Sequence, residues 1–270
     1  MKIGFIGIGN MGGAILKGIL TKHFVDASEV CVFDINASLC QQFRDTYNVQ
    51  VAASGEELAA KCEWIFLCVK PVFLAQVIEQ ICCNLNEDKK VVSIAAGWSI
   101  EMLNNAMGKC GAKLLRVMPN TPALVGEGVL ALCEETNLCN DDFVWAQKLF
   151  ATLGVVQIIP ERLIDAIIAV SGSSPAYVFM FIEAMADAAV KLGMPRPMAI
   201  QCAAQAVMGS AKMVLETQEH PAVLKDQVCS PGGTTIEAVQ TLEENGMRSA
   251  VIKAMVACAE KNKEMTKGTK

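Results

Sequence analysis

Two histidines, His23 and His220, are all that this chain of 270 residues provides. A zinc site would therefore depend on its 12 cysteines, yet none of them forms a C-x-x-C pair. Cys82 and Cys83 are adjacent, and the others stand singly in apolar segments, as small buried hydrophobes do. No metal is expected. There is also no H-E-x-x-H, no P-loop lysine and no Ser-His-Asp set, which removes the common hydrolytic and nucleotide-hydrolysing chemistries. A net charge of −5 without a basic patch argues against a nucleic-acid partner. Aromatic residues make up only 6%. The most apolar run, Ala176 to Ile182, is too short to cross a bilayer and is followed by Glu183 and Asp187. Nothing at the start reads as a signal peptide, so a soluble, cytoplasmic protein is expected.

What is present begins at once. Lys2 to Ile6 reads as a short buried strand that enters Gly7-Ile8-Gly9-Asn10-Met11-Gly12, and a helical pattern follows from Ala14 to Leu20. This is G-x-G-x-x-G between a strand and a helix, the context that makes it a dinucleotide turn. Gly7 permits the tight turn, Gly9 lets a pyrophosphate approach the backbone, and Gly12 lets helix and strand pack closely. The helix N-terminus, through Asn10 and Met11, adds N–H groups and a partial positive charge. A second strand, Glu29 to Phe33, ends in Asp34, about twenty residues beyond the glycines as the fingerprint requires.

Further segments alternate in the same way. Helices are expected at 38–47, 54–60 and 71–81, with strands at 49–51, 64–69, 91–95, 114–117, 128–133 and 155–159. The rhythm is that of an α/β chain with a doubly wound, mostly parallel sheet. Past Pro160 the strands stop. Helices are expected from Ser174-Pro175 to Lys191, from about Pro197, from Thr235 to Glu244 and from Arg248 to Lys263, with a frayed tail from Lys267 to Lys270. The fold class is thus an N-terminal Rossmann-type sheet, residues 1–160, followed by an all-α domain, residues 161–270. The long helices are apolar over more than one face, which points to surface buried against a second subunit or in a deep internal core.

In doubly wound sheets, ligands bind beyond the carboxyl ends of strands. The segments there are Val69-Lys70-Pro71, Ala95-Ala96-Gly97 and Met118-Pro119-Asn120-Thr121-Pro122. Ala96 and Gly97 would let a flat ring approach the backbone. Lys70 is either a cofactor contact or a solvated helix start, and Asn120 either an amide donor to a ribose or nicotinamide or a turn-stabilising residue. The carboxylate of Asp34 suits the ribose hydroxyls of NADH and would repel a 2′-phosphate, with no arginine before Arg44, so the residues favour NADH. Asn36 or Ser38 on the same loop could still turn toward the phosphate of NADPH, which leaves the preference open. A second site is Ser230-Pro231-Gly232-Gly233-Thr234-Thr235-Ile236-Glu237, where Thr234 and Glu237 have capping-box spacing. Such a helix start is either a plain cap or a carboxylate-binding loop. No obvious proton donor accompanies the dinucleotide turn, which fits reduction of a protonated C=N bond at least as well as reduction of C=O.

Together these segments resemble the pyrroline-5-carboxylate reductases. The likeness runs through Phe5 to Gly12, Val69-Lys70-Pro71, Ser93 to Gly97, Met118 to Pro122, Ser171-Gly172-Ser173-Ser174-Pro175-Ala176-Tyr177, and Leu224-Lys225-Asp226 through Ser230 to Thr235. Ile8, where the family commonly has alanine, is a mild departure. The resemblance implies NAD(P)H-dependent reduction of (S)-1-pyrroline-5-carboxylate to L-proline, the last step of proline biosynthesis. It implies cofactor contacts on the Gly7 to Gly12 turn and at Lys70, Ala95, Ala96 and Asn120. It also implies a substrate loop formed by Ser230, Gly232, Gly233, Thr234 and Thr235, with Thr235 near the imine nitrogen. It further implies a homodimer through the helical domain, with dimers often assembling into rings. A β-hydroxyacid-type dehydrogenase would need a lysine on the helix after Ser171, and Ser171 to Met180 contains none. A nucleotide sensor without catalysis is the remaining rival.

Overall fold

The computed structural model describes residues 2–268. Eight strands form one sheet: β1 (Ile3–Ile6), β2 (Val30–Phe33), β3 (Gln50–Val51), β4 (Trp64–Leu67), β5 (Lys90–Ser93), β6 (Lys113–Met118), β7 (Gly128–Cys133) and β8 (Gly154–Ile159). Six helices accompany them: α1 (Asn10–Thr21), α2 (Ala37–Tyr47), α3 (Gly55–Lys61), α4 (Pro71–Ile81), α5 (Ile100–Met107) and α6 (Asn140–Ala151). The strand order is β3-β2-β1-β4-β5-β6-β7-β8, and every pair is parallel except β6 with β7. The order reverses direction between β1 and β4, which makes that the switch point where such sheets open a crevice.

Alternate residues of each strand feed opposite layers, as the two-residue period of a strand requires. Ile3, Phe5, Trp64 and Phe66 enter one core with Ile15, Leu16 and Ile19 of α1 and Leu149 and Phe150 of α6. Ile6, Ile65 and Leu67 enter the other, with Leu58 of α3, Leu74 and Ile78 of α4 and Leu103 of α5. Phe5 stacks on Phe66 with ring centroids 4.6 Å apart. A fully buried aromatic of this kind contributes roughly 1.5–3 kcal/mol by burial.

After β8 the chain turns helical: α7 (Ile164–Ile167), α8 (Ser174–Lys191), α9 (Arg196–Thr217), α10 (Pro221–Val228), α11 (Thr234–Glu244) and α12 (Met247–Gly268). A π-helical turn, Ile168–Gly172, lies between α7 and α8. The chain divides into two compact units, Met1–Ser173 with Cys258–Lys270, and Ser174–Ala257. The second unit is a paired-helix structure with scarcely any core: its buried apolar residues are Ala186, Ala199 and Ala203, while Phe179, Met180 and Leu215 are largely exposed.

Four helices escaped the sequence pattern, α5, α6, α7 and α10. Two of the short ones are held by context: α5 by the Ser99 cap, whose Oγ accepts the Met102 N–H, and α10 by Pro221 in its first turn. The last helix runs through Gly268, so the frayed tail expected from Lys267 is helical as far as it is described, and Thr269 and Lys270 lie outside the described residues. The helical stretch 161–191 and α9 are long and apolar enough to cross a membrane by length and composition, at mean hydropathy 1.5 and 1.2. The contiguous apolar run at Ala176 to Ile182 underestimates them, because single charges such as Glu183 and Asp187 interrupt the run without breaking the helix. The cysteines divide as well: Cys31, Cys40, Cys62 and Cys133 are buried as expected, but Cys83, Cys139 and Cys202 are exposed.

One charged residue sits inside the sheet. Arg116 on β6 is buried, and its Nη1 donates to Glu161 Oε1 at 2.5 Å, while Ile100 N donates to the same oxygen at 2.6 Å. Its Nε has no protein partner. Glu161→Ala would strand the guanidinium, and urea unfolding should show a loss of about 3 kcal/mol. Glu135→Ala, which removes only the exposed acceptor of the Glu161 N–H, should cost about 1 kcal/mol.

Candidate functional site

The parallel register sets Phe33, Ile6, Leu67 and Ser93 side by side at the carboxyl ends of β2, β1, β4 and β5. The segments that follow therefore leave the sheet along one edge. Gly7 N donates to Phe33 O at 2.8 Å and Cys68 N to Ile6 O at 2.9 Å, so the glycine turn is fastened between two neighbouring strands.

Each glycine of the turn has its own reason. Gly7 takes φ +90°, and a Cβ there would lie 2.8 Å from Cys68 O. A Cβ on Gly12 would lie 2.1 Å from Gly7 O, so only glycine allows α1 to begin this close to β1. Gly9 differs: a Cβ there would meet nothing within 4 Å. The space above Gly9 is open, and α1 starts from it without a side-chain cap. An uncapped helix start beside an open glycine surface is what a diphosphate needs. Asn10 is exposed, Met11 packs partly against the core and Gly12 is buried, so the surface above the turn is formed by Gly9 and Asn10.

Asp34 is held at two points. Its Oδ2 accepts the Ile8 N–H at 2.8 Å and its Oδ1 accepts the Asn36 N–H at 2.9 Å. The carboxylate thus ties the glycine turn to the loop after β2. Each oxygen keeps a second lone-pair direction, which suits ribose hydroxyls. These features together fit a dinucleotide cofactor: a cradle that side chains would fill, a helix start without a cap, and an oriented acceptor. Burial pushes the Cys68 thiol up, so it stays neutral beside the turn.

The remaining sequence candidates are placed less uniformly. Val69 flanks Gly7, with its Cγ1 3.1 Å from where a Gly7 Cβ would stand. Lys70 is exposed and precedes α4, whose first residue, Pro71, accepts the Trp98 Nε1–H at its carbonyl, 3.1 Å away. Ala95 is buried, and Ala96 packs partly against a core that also takes in Cys258. The position a Gly97 Cβ would occupy lies 3.5 Å from Met265 Cβ, so α12 covers the face of Gly97 that the sequence left open. Asn120 is buried, its Oδ1 accepting from Val129 N at 2.8 Å and its Nδ2 donating to Ser171 O at 3.0 Å. Its amide joins β6 to β7 and to the π-helical turn. A π turn departs from the regular i−4 ladder, and such turns recur at functional sites. Ser171, Arg116 and Glu161 were not singled out as site residues by sequence reasoning. An arginine inside the apolar strand Leu114 to Met118 was the available signal.

The second candidate group lies in the other unit. Gly233 N donates to Ser230 O at 3.0 Å, closing a turn with Pro231 second and Gly232, at φ +64°, third. That arrangement is the type II pattern. Gly233 caps α11 and no side chain completes the cap, so Thr234 is the first helical residue rather than the capping hydroxyl. The capping box expected of Thr234 and Glu237 is therefore not formed: Glu237 sits one position too far along. Ser230, Gly232 and Thr234 are exposed, with Gly233 and Thr235 partly so. Among the described residues no group of three or more His, Cys, Asp or Glu side chains gathers as a metal site.

The glycines can be separated by experiment. Gly9→Ala should leave the thermal midpoint unchanged but weaken dinucleotide binding about tenfold or more, equivalent to ~1.4 kcal/mol in a calorimetric titration. Gly12→Ala should lower both, because its methyl group collides with the backbone.

Comparison with known proteins agrees with both halves of the chain. Residues 161–265 match the family described as pyrroline-5-carboxylate reductase dimerisation, and residues 2–97 match NADP oxidoreductase, coenzyme F420-dependent. The chain is 49% identical to the pyrroline-5-carboxylate reductase of Escherichia coli strain K12, over 98% of each. It superposes on a Plasmodium falciparum pyrroline carboxylate reductase, solved with NADP bound, at TM-score 0.90 and 33% identity over 98% of each chain. A pyrroline-5-carboxylate reductase from Coxiella burnetii superposes at TM-score 0.88, with 32% identity and the same coverage. The chain belongs to the pyrroline-5-carboxylate reductase family.

Proposed function

We propose that two groups of residues, one in each compact unit, carry the reaction. Gly7, Gly9, Asn10, Met11 and Gly12 receive the pyrophosphate and Asp34 the adenosine ribose. Val69, Lys70, Pro71, Ala95, Ala96, Gly97 and Asn120 border the nicotinamide half, Asn120 by fixing the end of β6 rather than by a free amide. The alignment of these segments along one sheet edge supports that assignment. Ser230, Gly232, Gly233, Thr234 and Thr235 form the substrate loop. Its support is the tight turn that leads into an α11 start without a side-chain cap, where N–H groups and hydroxyls suit a carboxylate.

The activity is that of an NAD(P)H-dependent oxidoreductase acting on a cyclic imine: (S)-1-pyrroline-5-carboxylate is reduced to L-proline, the last step of proline biosynthesis. A dihydronicotinamide held by the glycine turn and Asp34 would supply the hydride. The protein's part is to hold the ring carboxylate at the start of α11 and present one ring face. Thr235 lies near the ring nitrogen and orients or protonates it, and the nitrogen keeps its proton as the secondary amine of proline. The observation that carries this reading is the likeness, over nearly the whole chain, to reductases of this substrate.

The division we propose is a cofactor domain over residues 1–160 and a helical dimerisation and substrate domain over 161–270. The chain forms oligomers, as its dimerisation-family match indicates. A homodimer joined through the helical domain, with rings of dimers built from it, accounts for the exposed apolar side chains of α8 and α9. A second copy, rather than a membrane, would cover them, consistent with a cytoplasmic enzyme.

The test follows NADH and NADPH oxidation with pyrroline-5-carboxylate as the acceptor. Turnover is expected, and its absence with both cofactors would overturn the assignment. Thr235→Ala should lower kcat/KM about a hundredfold while light scattering still shows a dimer or larger. Full kcat/KM in that variant would remove Thr235 from the site.

A further inference from the structure

We propose that the turn after β2 makes this chain selective for NADH over NADPH, with Asp34 as the determinant. The inference rests on the dinucleotide reading above and specifies which cofactor that site takes. The question is whether the turn could rearrange to admit a 2′-phosphate, and three observations say that it does not.

First, Asp34 is fixed. Its two carboxylate oxygens accept from Ile8 N at 2.8 Å and Asn36 N at 2.9 Å, one donor on each oxygen. Swinging the carboxylate away would leave both amides without an acceptor, at a cost comparable to two lost charge-assisted hydrogen bonds. The negative charge therefore stays where the 2′ and 3′ oxygens arrive.

Second, the side chains that might greet a phosphate are already engaged. Asn36 caps α2: its Oδ1 accepts the Leu39 N–H at 3.2 Å and the Ser38 hydroxyl at 2.6 Å. The pair satisfies itself within the cap, so neither residue is poised to turn outward. Third, the segments that border Asp34 bring no cation to it among the described residues. The chain from Asp34 to Phe43 carries no lysine or arginine, and Arg44 stands in the last turn of α2. The adjacent turn, Ala52 to Gly55, is uncharged. Lys70 follows β4, which lies across β1 from β2. A phosphate monoester here would meet a fixed carboxylate with no counter-charge, and like-charge juxtaposition is strongly unfavourable.

The next residue supports the same assignment. Ile35 is 92% exposed, beside the ribose acceptor. An adenine carried by a ribose on Asp34 would cover this side chain, giving an apolar contact indifferent to the 2′ substituent. Asp34 thus sets the choice between cofactors, and Ile35 contributes to both alike. The Plasmodium relative was solved with NADP bound, so selectivity for NADH would separate this chain from that one.

The experiment uses the full-length enzyme. Calorimetric titrations with NAD+ and NADP+, and with AMP and 2′-AMP as probes of the adenosine end alone, are set beside kcat/KM for NADH and NADPH. The expected result is preference for the unphosphorylated member of each pair by about tenfold or more, which corresponds to ~1.4 kcal/mol. Asp34→Ser should narrow or reverse each ratio. Asp34→Asn, which keeps an acceptor for the loop and loses the charge, should do the same if the charge is what selects. Ile35→Ser should weaken both cofactors without moving the ratio. Preference for NADP+ and NADPH in the unaltered enzyme, or ratios unmoved by both Asp34 variants, would overturn the proposal. Absence of turnover with either cofactor would overturn the reductase reading instead, while the binding ratios would still decide the selectivity.

Discussion

The contact on which the site depends is the one between α1 and β1 at Gly12 and Gly7. With a Cβ at Gly12 only 2.1 Å from the Gly7 carbonyl, the helix could not start where it does. Because it does start there, its uncapped N-terminus opens onto the sheet edge rather than onto solvent away from it. Everything else at this edge is arranged around that start. The Gly7 amide is tied to β2, the Cys68 amide to β1, and Asp34 closes the circuit by holding the Ile8 amide. Small residues and backbone groups build the cradle, which is why so few conspicuous side chains appear in it.

The helical unit obeys a different constraint. A unit whose buried apolar residues are three alanines does not bury enough surface to offset its own ordering entropy. Its long helices instead present methionine, phenylalanine and leucine outward. Such a surface calls for a cover, and the match to a dimerisation family fits the homodimer proposed above.

Within the first unit, the buried polar groups act as fasteners. Arg116 and Glu161 clamp β6 to the chain after β8 and to the start of α5, and Asn120 ties β6 to β7 and to the π-helical turn. The partners of neither fastener could be recognised from its neighbours in sequence. Their partners lie 45 residues away for Arg116 and 51 for Asn120. Asn120 illustrates the difficulty well: two prolines around it announce a rigid position, but whether its amide faces a ligand or the protein depends on a carbonyl that only folding brings near.

The sequence by itself determined what is local and periodic. The glycine turn, the strands of four to six residues, the reversal that leads to Asp34, and the starts of α4 at Pro71 and α8 at Ser174 all follow from turn chemistry and hydrophobic period. Tertiary structure decided what depends on contacts distant in the chain. It placed Met265 over Gly97 and moved the cap of α11 from Thr234 to Gly233. It also immobilised Asp34 between two amides, one of them 26 residues away. Residue types report propensity and pattern, whereas the partners that satisfy a buried polar group or cover an apolar face are chosen only when the whole sheet and its layers have assembled.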